Sequence, residues 1–525
     1  MNSAVHLDGS PLRYLCVVLM GCALSLVLHE AWDLETRWFV IVFVAISAIA
    51  VSMCLARIFS DFVLVFTLFS VPFASFAKWI WLSGYDIEDH GNIIYVGLLG
   101  IGLIDFLLVG LYMSWFYRIF VSREQALPRL NLVDGFILWF VLAHLVATID
   151  AEGVALGLAA TEFLFKHFLF YFYLSRNLDE RHLPWLLAAF AFTITIELAL
   201  GSYQFATGKL LGLALDKGAG SSTLNLEVTI PGTESYHRAT GTSYDPHTLG
   251  HFMALILPFP LVLSFTPQLR PTLRLACVVA SGAAVFVILL SVSRTAWLAT
   301  AIALPIGIVL IVAVWRERQV IPAVAAAAVA GAIAMPFILS FTSTRFQNYS
   351  FEALSVRYDQ YKVAWRVFAL FPFFGVGPGN WIWAYPRYDY QWLVGDDPSR
   401  NVVHNVMLWT GVEVGIFGLI PYVALLVTVM VRLFAMVRRR RDIPARLGLA
   451  ALIAMMATAL CGLTDPAYRE PNVYMMFWLV VSLSVALPRL RLGAGDLLMA
   501  KRRLAGGSLP IRATPAAESA GWRSS

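Results

Sequence analysis

The stretch 236–247 reads YHRATGTSYDPH, and 248–266 continues directly as TLGHFMALILPFPLVLSFT. A polar segment marked by glycine and proline thus opens an apolar run close to the ~20 residues that cross about 30 Å of hydrocarbon. The same arrangement recurs along the chain. Apolar runs fall at approximately 12–29, 38–56, 62–83, 92–117, 133–150, 157–174, 184–206, 248–266, 273–292, 295–314, 320–341, 405–434, 446–463 and 472–489. Of the 525 residues, 59% are hydrophobic and only 14% charged, and the mean hydropathy is +0.74. Soluble domains carry roughly 25% charged residues, so no soluble core accommodates this excess. Continuous runs, rather than alternation over about ten residues, exclude an outer-membrane barrel. The composition therefore predicts an all-α, polytopic membrane helix bundle of 12–14 spans.

The domain reading is a single membrane domain over 1–490, followed by a disordered basic tail at 491–525 that rests on anionic lipid headgroups. The first run lacks a clear small-residue cleavage site and reads as a retained helix. Cys16, Cys22, Cys54, Cys277 and Cys461 sit inside apolar runs without paired spacing, which indicates buried thiols rather than a metal site or disulfide framework.

Basic residues set the orientation. Arg118, Arg123 and Arg129, then Arg176 and Arg181, Arg270 and Arg274, Arg316 and Arg318, the run Arg438–Arg441 and the tail residues Lys501–Arg503 all fall on one side if the spans alternate. Short basic loops stay in the cytoplasm. Both termini are then inside, and the long segments 207–247 and 342–404 are outside.

Three polar islands carry the chemistry. In the first, Asp245 suits the cap and Pro246 the first turn of the following helix. A helix N-terminus attracts phosphate, and Arg238 nearby offers a bidentate contact. A capped surface helix with a solvated arginine accounts equally well for the spacing. In the second, 355–366 reads as an amphipathic helix along the membrane surface, bearing Arg357 and an interfacial Trp365. The turn Gly375-Val376-Gly377 after it permits close backbone approach to a ligand; an ordinary lid with arginines against headgroups is the plainer reading. In the third, His404-Asn405 opens a span that continues through Glu413. Histidine there can act as base, acid or donor, or simply cap the helix. Glu413, about 13.5 Å deeper, is expected to pair with a buried cation.

Further polar residues lie within the spans. Glu162 and Lys166 stand four apart, as an ion pair on one helix face. Glu197 and Gln204 share a face seven apart, and Lys78 and Asp105 are further intramembrane candidates. Ser293-Arg294-Thr295 marks the outer turn of a tight helical hairpin, where Arg294 serves as a structural clamp or a phosphate contact. Trp381, Trp383, Tyr385, Tyr388 and Trp392 suit sugar stacking or an interfacial belt.

Taken in order, Arg238-x-x-Gly241 with Asp245-Pro246-His247, Ser293-Arg294, Arg357 with Trp365, the Gly375-x-Gly377 turn, and His404-Asn405 with Glu413 resemble the O-antigen ligase and O-antigen polymerase superfamily of bacterial envelope glycosyltransferases. The likeness covers roughly 180–435. His247 departs from it, standing where the family often has asparagine. The resemblance implies a GT-C-type fold in the bacterial inner membrane, with two larger periplasmic loops and no cofactor. It also implies metal-independent, inverting transfer of a glycan from undecaprenyl pyrophosphate to a hydroxyl of a glycan or lipid A core acceptor. Arg238 and Arg357 would meet the pyrophosphate, and His404 would orient or deprotonate the acceptor or assist at the phosphate. Asp245, His247, Arg294, Trp365, Asn405 and Glu413 would line the substrates. Membrane lipids are the other expected partners, and nucleic acid is not one.

Acceptor choice among lipid A core, a growing polymer and a protein is not written in these motifs. The competing class is a flippase for lipid-linked oligosaccharide. Transporters show repeated halves and midplane charges, whereas the strongest polar signatures here are at the outer surface.

Overall fold

The computed structural model describes residues 56–75, 77–81, 98–210, 227–228, 236–243, 245–318, 320–322, 325, 350–390, 403–466 and 469–491. The expected spans 12–29 and 38–56, nearly all of 320–341, much of both outer loops and the basic tail lie outside them.

The described chain is almost entirely helical. In order come α1 Ala56–Ser70, α2 Leu103–Phe116, α3 Leu132–Ile149, α4 Val154–Asn177, α5 Leu183–Thr207, α6 Pro246–Ile256 and α7 Pro258–Ser264. Then follow α8 Pro271–Leu290, α9 Arg294–Trp315, α10 Ser350–Leu370, α11 Trp381–Tyr388, α12 Val406–Arg439, α13 Ile443–Gly462 and α14 Pro471–Ala486. Among the described residues ten helical segments are long and apolar enough to cross a membrane. The chain is a multi-pass membrane protein.

Four expected spans differ in detail, the run 92–117 being an α-helix only from Leu103, after a strand at Leu98–Gly102. The run 62–83 is not one helix: α1 passes into a short 3-10 turn at Val71–Phe73, where Pro72 has a fixed φ and no N–H. Lys78 instead lies in a strand, β1 Ala77–Trp81, paired antiparallel with β2 Leu98–Gly102 from Ala77↔Gly102 to Trp81↔Leu98. The β-favouring Trp79-Ile80-Trp81 suits that ladder. The run 248–266 is broken between α6 and α7, at Leu257 just before Pro258. The run from 405 is broken inside α12 at Gly415, with φ 62° and ψ −167°.

Burial sorts the helices. α14, α13 and the α6–α7 pair form the centre, and α14 is almost wholly enclosed. α8 and α9 leave Val278, Val279, Leu298 and Val309 outward, as a lipid-facing surface requires. α12 packs on α3 and α13, α14 on α4, and α8 on α5, α6 and α7. A second, smaller core joins Val363, Ala364 and Val367 of α10 to Trp381 and Tyr385 of α11 and Trp409 of α12. It docks the described part of the second island onto the bundle.

Candidate active site

The first island is built on α5. Gln204 Oε1 accepts from Thr240 N at 2.9 Å and Gly241 N at 2.7 Å, and its Nε2 donates to the Gly241 carbonyl at 3.1 Å. One turn pair deeper, Glu197 accepts from Thr242 N at 3.0 Å and from the Thr242 hydroxyl. Gly241 has φ +58°, and a Cβ there would lie 1.9 Å from Glu197 Oε2, so only glycine fits. A short ladder, β3 Glu227–Val228 with β4 Tyr236–His237, precedes the loop. At its head, Ala239 N donates to the Leu290 carbonyl at 3.1 Å and Arg238 Nε to the Ser291 carbonyl at 3.2 Å. Arg238 is thereby fixed at the α8–α9 turn.

That turn also meets α6. Asp245 caps α6, accepting from His247 N at 2.6 Å and Thr248 N at 3.4 Å. The His247 ring places Nδ1 3.2 Å from Ser293 Oγ and 3.6 Å from Asp465 Oδ2. Ser293 itself caps α9, and Arg294 is the first residue of that helix. Asn472, at the start of α14, donates to Ser243 Oγ at 2.6 Å.

His404 stands immediately before α12. Tyr361 of α10 donates its hydroxyl to the His404 carbonyl at 2.6 Å. Asn405 caps α12 through Leu408 N at 2.9 Å and donates to the Leu463 carbonyl at 3.1 Å. Burial pushes the His404 imidazole below its ordinary value and Arg357 pushes the same way, while Asp465 and Asp245 oppose them. Its Nδ1 is enclosed and has no hydrogen-bond partner among the described residues. Burial alone would raise the Asp465 carboxyl, but His247, His251 and His404 hold it below the usual carboxylate value.

The structure thus gathers Asp245, His247, His404, Arg357 and Asp465 into one electrostatic cluster at the N-terminal ends of α6, α9, α12 and α14. Free N–H groups and aligned peptide dipoles give such ends positive potential, which favours an anion. Arg238 and Arg294 flank the cluster through the Ser291–Ser293 turn. Among the described residues no group of three or more His, Cys, Asp or Glu side chains is arranged to hold a metal ion.

Other expected residues fall elsewhere. Trp365 is 62% exposed on the outer face of α10, against Phe368 and away from the buried Val363 and Val367. Trp381 and Tyr385 are buried in the smaller core, where no sugar could stack; Trp392 lies outside the described residues. Glu413 is 1% exposed and bonded on both oxygens: Oε1 accepts from Trp409 Nε1 at 2.7 Å and Gly379 N at 3.0 Å, and Oε2 meets Arg469 at 2.6 Å. The expected buried cation is Arg469, and the carboxylate is used up in a joint. The Gly375–Gly379 turn approaches that same joint, not an open cleft. A Cβ on Gly375 would sit 2.4 Å from the Glu413 carbonyl carbon. Lys166 pairs with Asp105 at 3.2 Å, a cross-helix partner that i,i+4 spacing to Glu162 does not reveal. Asp465 and Tyr361 are the residues that motif reading passes over. The signal for Asp465 was available: Asp465-Pro466 repeats the Asp245-Pro246 pattern between two spans.

Residues 277–423 match the family model described as O-antigen ligase. That match, over little more than a quarter of the chain, supports the likeness to the O-antigen ligase superfamily. The ligase match opens inside α8 and closes inside α12. It therefore takes in Arg294, Arg357 and His404, while Arg238, Asp245, His247 and Asp465 lie beyond it. The match suggests glycosyltransferase chemistry of the ligase type, which in that family joins a lipid-linked glycan donor to a glycan acceptor. No curated protein matches the chain.

Proposed function

We propose that the chain transfers a glycan from undecaprenyl pyrophosphate to an acceptor hydroxyl at the periplasmic face of the bacterial inner membrane, as a ligase or a polysaccharide polymerase. The observation that carries this reading is the convergence of His404, Arg357, His247 and Asp465 at four helix N-termini. In the step itself, the acceptor oxygen attacks the anomeric carbon as the bond to the phosphate oxygen breaks, with inversion. The hydroxyl proton passes to His404, whose depressed basicity keeps it neutral and able to accept at neutral pH. Negative charge develops on the departing undecaprenyl pyrophosphate, where Arg357, Arg238 and the helix ends stabilise it. Asp245 and Asn405 hold the helix starts, and Arg294 flanks the phosphates. His247, which motif reading treats as a contact, faces the same cluster as His404. Trp365 and Glu413, for the reasons above, stay outside this assignment.

The testing experiment supplies purified protein with an undecaprenyl-pyrophosphate-linked glycan and a panel of acceptors, with and without chelator, and follows product by mass. Transfer by wild type that collapses in His404→Ala, Arg357→Ala and Arg238→Ala supports the assignment, and the productive acceptor separates ligase from polymerase. Movement of the glycolipid across vesicles without transfer to any acceptor would overturn it.

A further inference from the structure

A second polar site lies at the opposite end of the bundle. α2 finishes in a π-helical turn, Tyr117–Val121, a local widening often found at functional positions. The chain then reverses: Glu124 N and Gln125 N both donate to the Arg118 carbonyl, at 2.8 and 3.3 Å. Arg123 takes the left-handed conformation, φ +53°. This fold-back, with Ser60 and Asp61 of α1 and Arg181 just before α5, encloses a cavity of about 210 Å³ lined by Ser60, Asp61, Arg118, Glu124, Gln125 and Arg181.

Arg118 is the informative wall. It is only 8% exposed, yet its hydrogen bonds among the described residues go to neutral oxygens. Nη2 donates to Tyr173 Oη at 3.3 Å and to Asn177 Oδ1 at 3.2 Å, and the enclosed Nε has no partner. Asp61 of α1, in the wall of the same cavity, is already engaged by Arg181 at 2.7 Å and His182 at 3.3 Å. A buried guanidinium that makes no ion pair among the described residues is costly unless an anion completes it, and its fork matches phosphate oxygens.

We propose that this cavity binds a phosphate group, with Arg118 as the principal contact and Arg181 and Gln125 at the rim. The site lies where the span Leu103–Val121 ends and the span Glu180–Thr207 begins, at the depth of phospholipid headgroups. Basic pockets between membrane helices take such headgroups. A lipid phosphodiester and free phosphate share this chemistry, and the site is independent of the transfer proposed above.

The test uses the full-length protein in neutral detergent, with two arms. Native mass spectrometry counts retained phosphatidylglycerol, and thermal unfolding is followed against inorganic phosphate. Wild type is expected to retain one more phosphatidylglycerol than Arg118→Gln, with binding weakened about tenfold in the variant. A phosphate-dependent rise in unfolding temperature without lipid retention would assign the site to free phosphate. Should Arg118→Gln fail to fold, Arg118→Lys and Arg181→Gln carry the same comparison, each with weakened retention expected. Glu124→Gln is expected to tighten binding; a loss of stability with no gain in retention would show Glu124 acting as counterion and count against the site. Equal lipid retention and equal phosphate response in wild type and the arginine variants overturn it.

Discussion

At the scale of single residues, His404 and Glu197 show how one kind of burial serves two ends. His404 is half-buried, with its Nδ1 enclosed, and faces a mixed set of charges, and its imidazole stays below the ordinary value of 6.5. A base works in its neutral form, and a lowered pKa keeps that form populated at more acid pH. The acidic limb of the transfer-rate profile should therefore have its midpoint below pH 6.5; a midpoint above it would remove His404 as the base. Replacing His404 by alanine is expected to slow transfer ~10²–10⁴-fold with little change in donor binding, read by separate titration of the glycolipid. Glu197 instead spends its buried carboxylate on the Thr242 backbone and hydroxyl. Glu197→Ala orphans those groups, and the loss of about 1–3 kcal/mol per buried group should appear in detergent unfolding. Arg238, anchored by the same loop, should lose donor affinity in that variant; an Arg238-dependent affinity left intact would show the loop is positioned by other contacts.

At the scale of elements, the site depends on a broken helix. At Gly415 the backbone of α12 leaves helical geometry, and the gap is filled by the Pro372–Gly377 turn. Val376 N and Gly377 N donate to the Val412 and Glu413 carbonyls at 2.9 Å, while Ile416 N and Phe417 N donate to the Pro372 and Phe373 carbonyls at 2.8 and 3.1 Å. The orphaned backbone groups of the break are thus satisfied inside the protein, as a membrane segment requires. A Cβ on Gly415 would meet the Phe373 carbonyl carbon at 2.2 Å. Gly415→Ala is expected to cost at least about 1–3 kcal/mol in strain and to reduce transfer by loosening α10, which carries Arg357. Arg469→Ala leaves Glu413 as a buried, unpaired carboxylate, at a cost near 3–5 kcal/mol, and adding Glu413→Gln should recover part of it. No recovery in the double variant would place the role of Arg469 elsewhere. The glycines and Glu413 stand out in the sequence because they interrupt apolar runs, but their purpose is not legible there. Spacing along one chain does not disclose that two turns forty residues apart exchange backbone hydrogen bonds.

At the scale of the whole molecule, spans such as α3, α4, α5, α8 and α9 were legible because hydrocarbon thickness imposes length and apolar composition directly. The departures came where local chemistry outweighs hydropathy: Pro72 and Trp79–Trp81 in the β1–β2 ladder, Pro258 at the α6–α7 break. The cluster was legible in part. Asp245, His247 and His404 sit at span starts and Arg357 in the polar helix α10, whereas the central position of Asp465 emerges only when α13 and α14 fold against α6. The basic loops predict that the cluster end faces the periplasm and the Arg118 end the cytoplasm. In a variant with all five cysteines replaced by serine, single cysteines at Lys362 and Tyr390 should react in intact spheroplasts with a maleimide that does not cross membranes. Cysteines at Gln268 and Arg441 should react only after permeabilisation. The reverse pattern would put the histidine cluster in the cytoplasm, beyond a donor displayed in the periplasm, and the proposed reaction would fail on geometry before any question of chemistry arose.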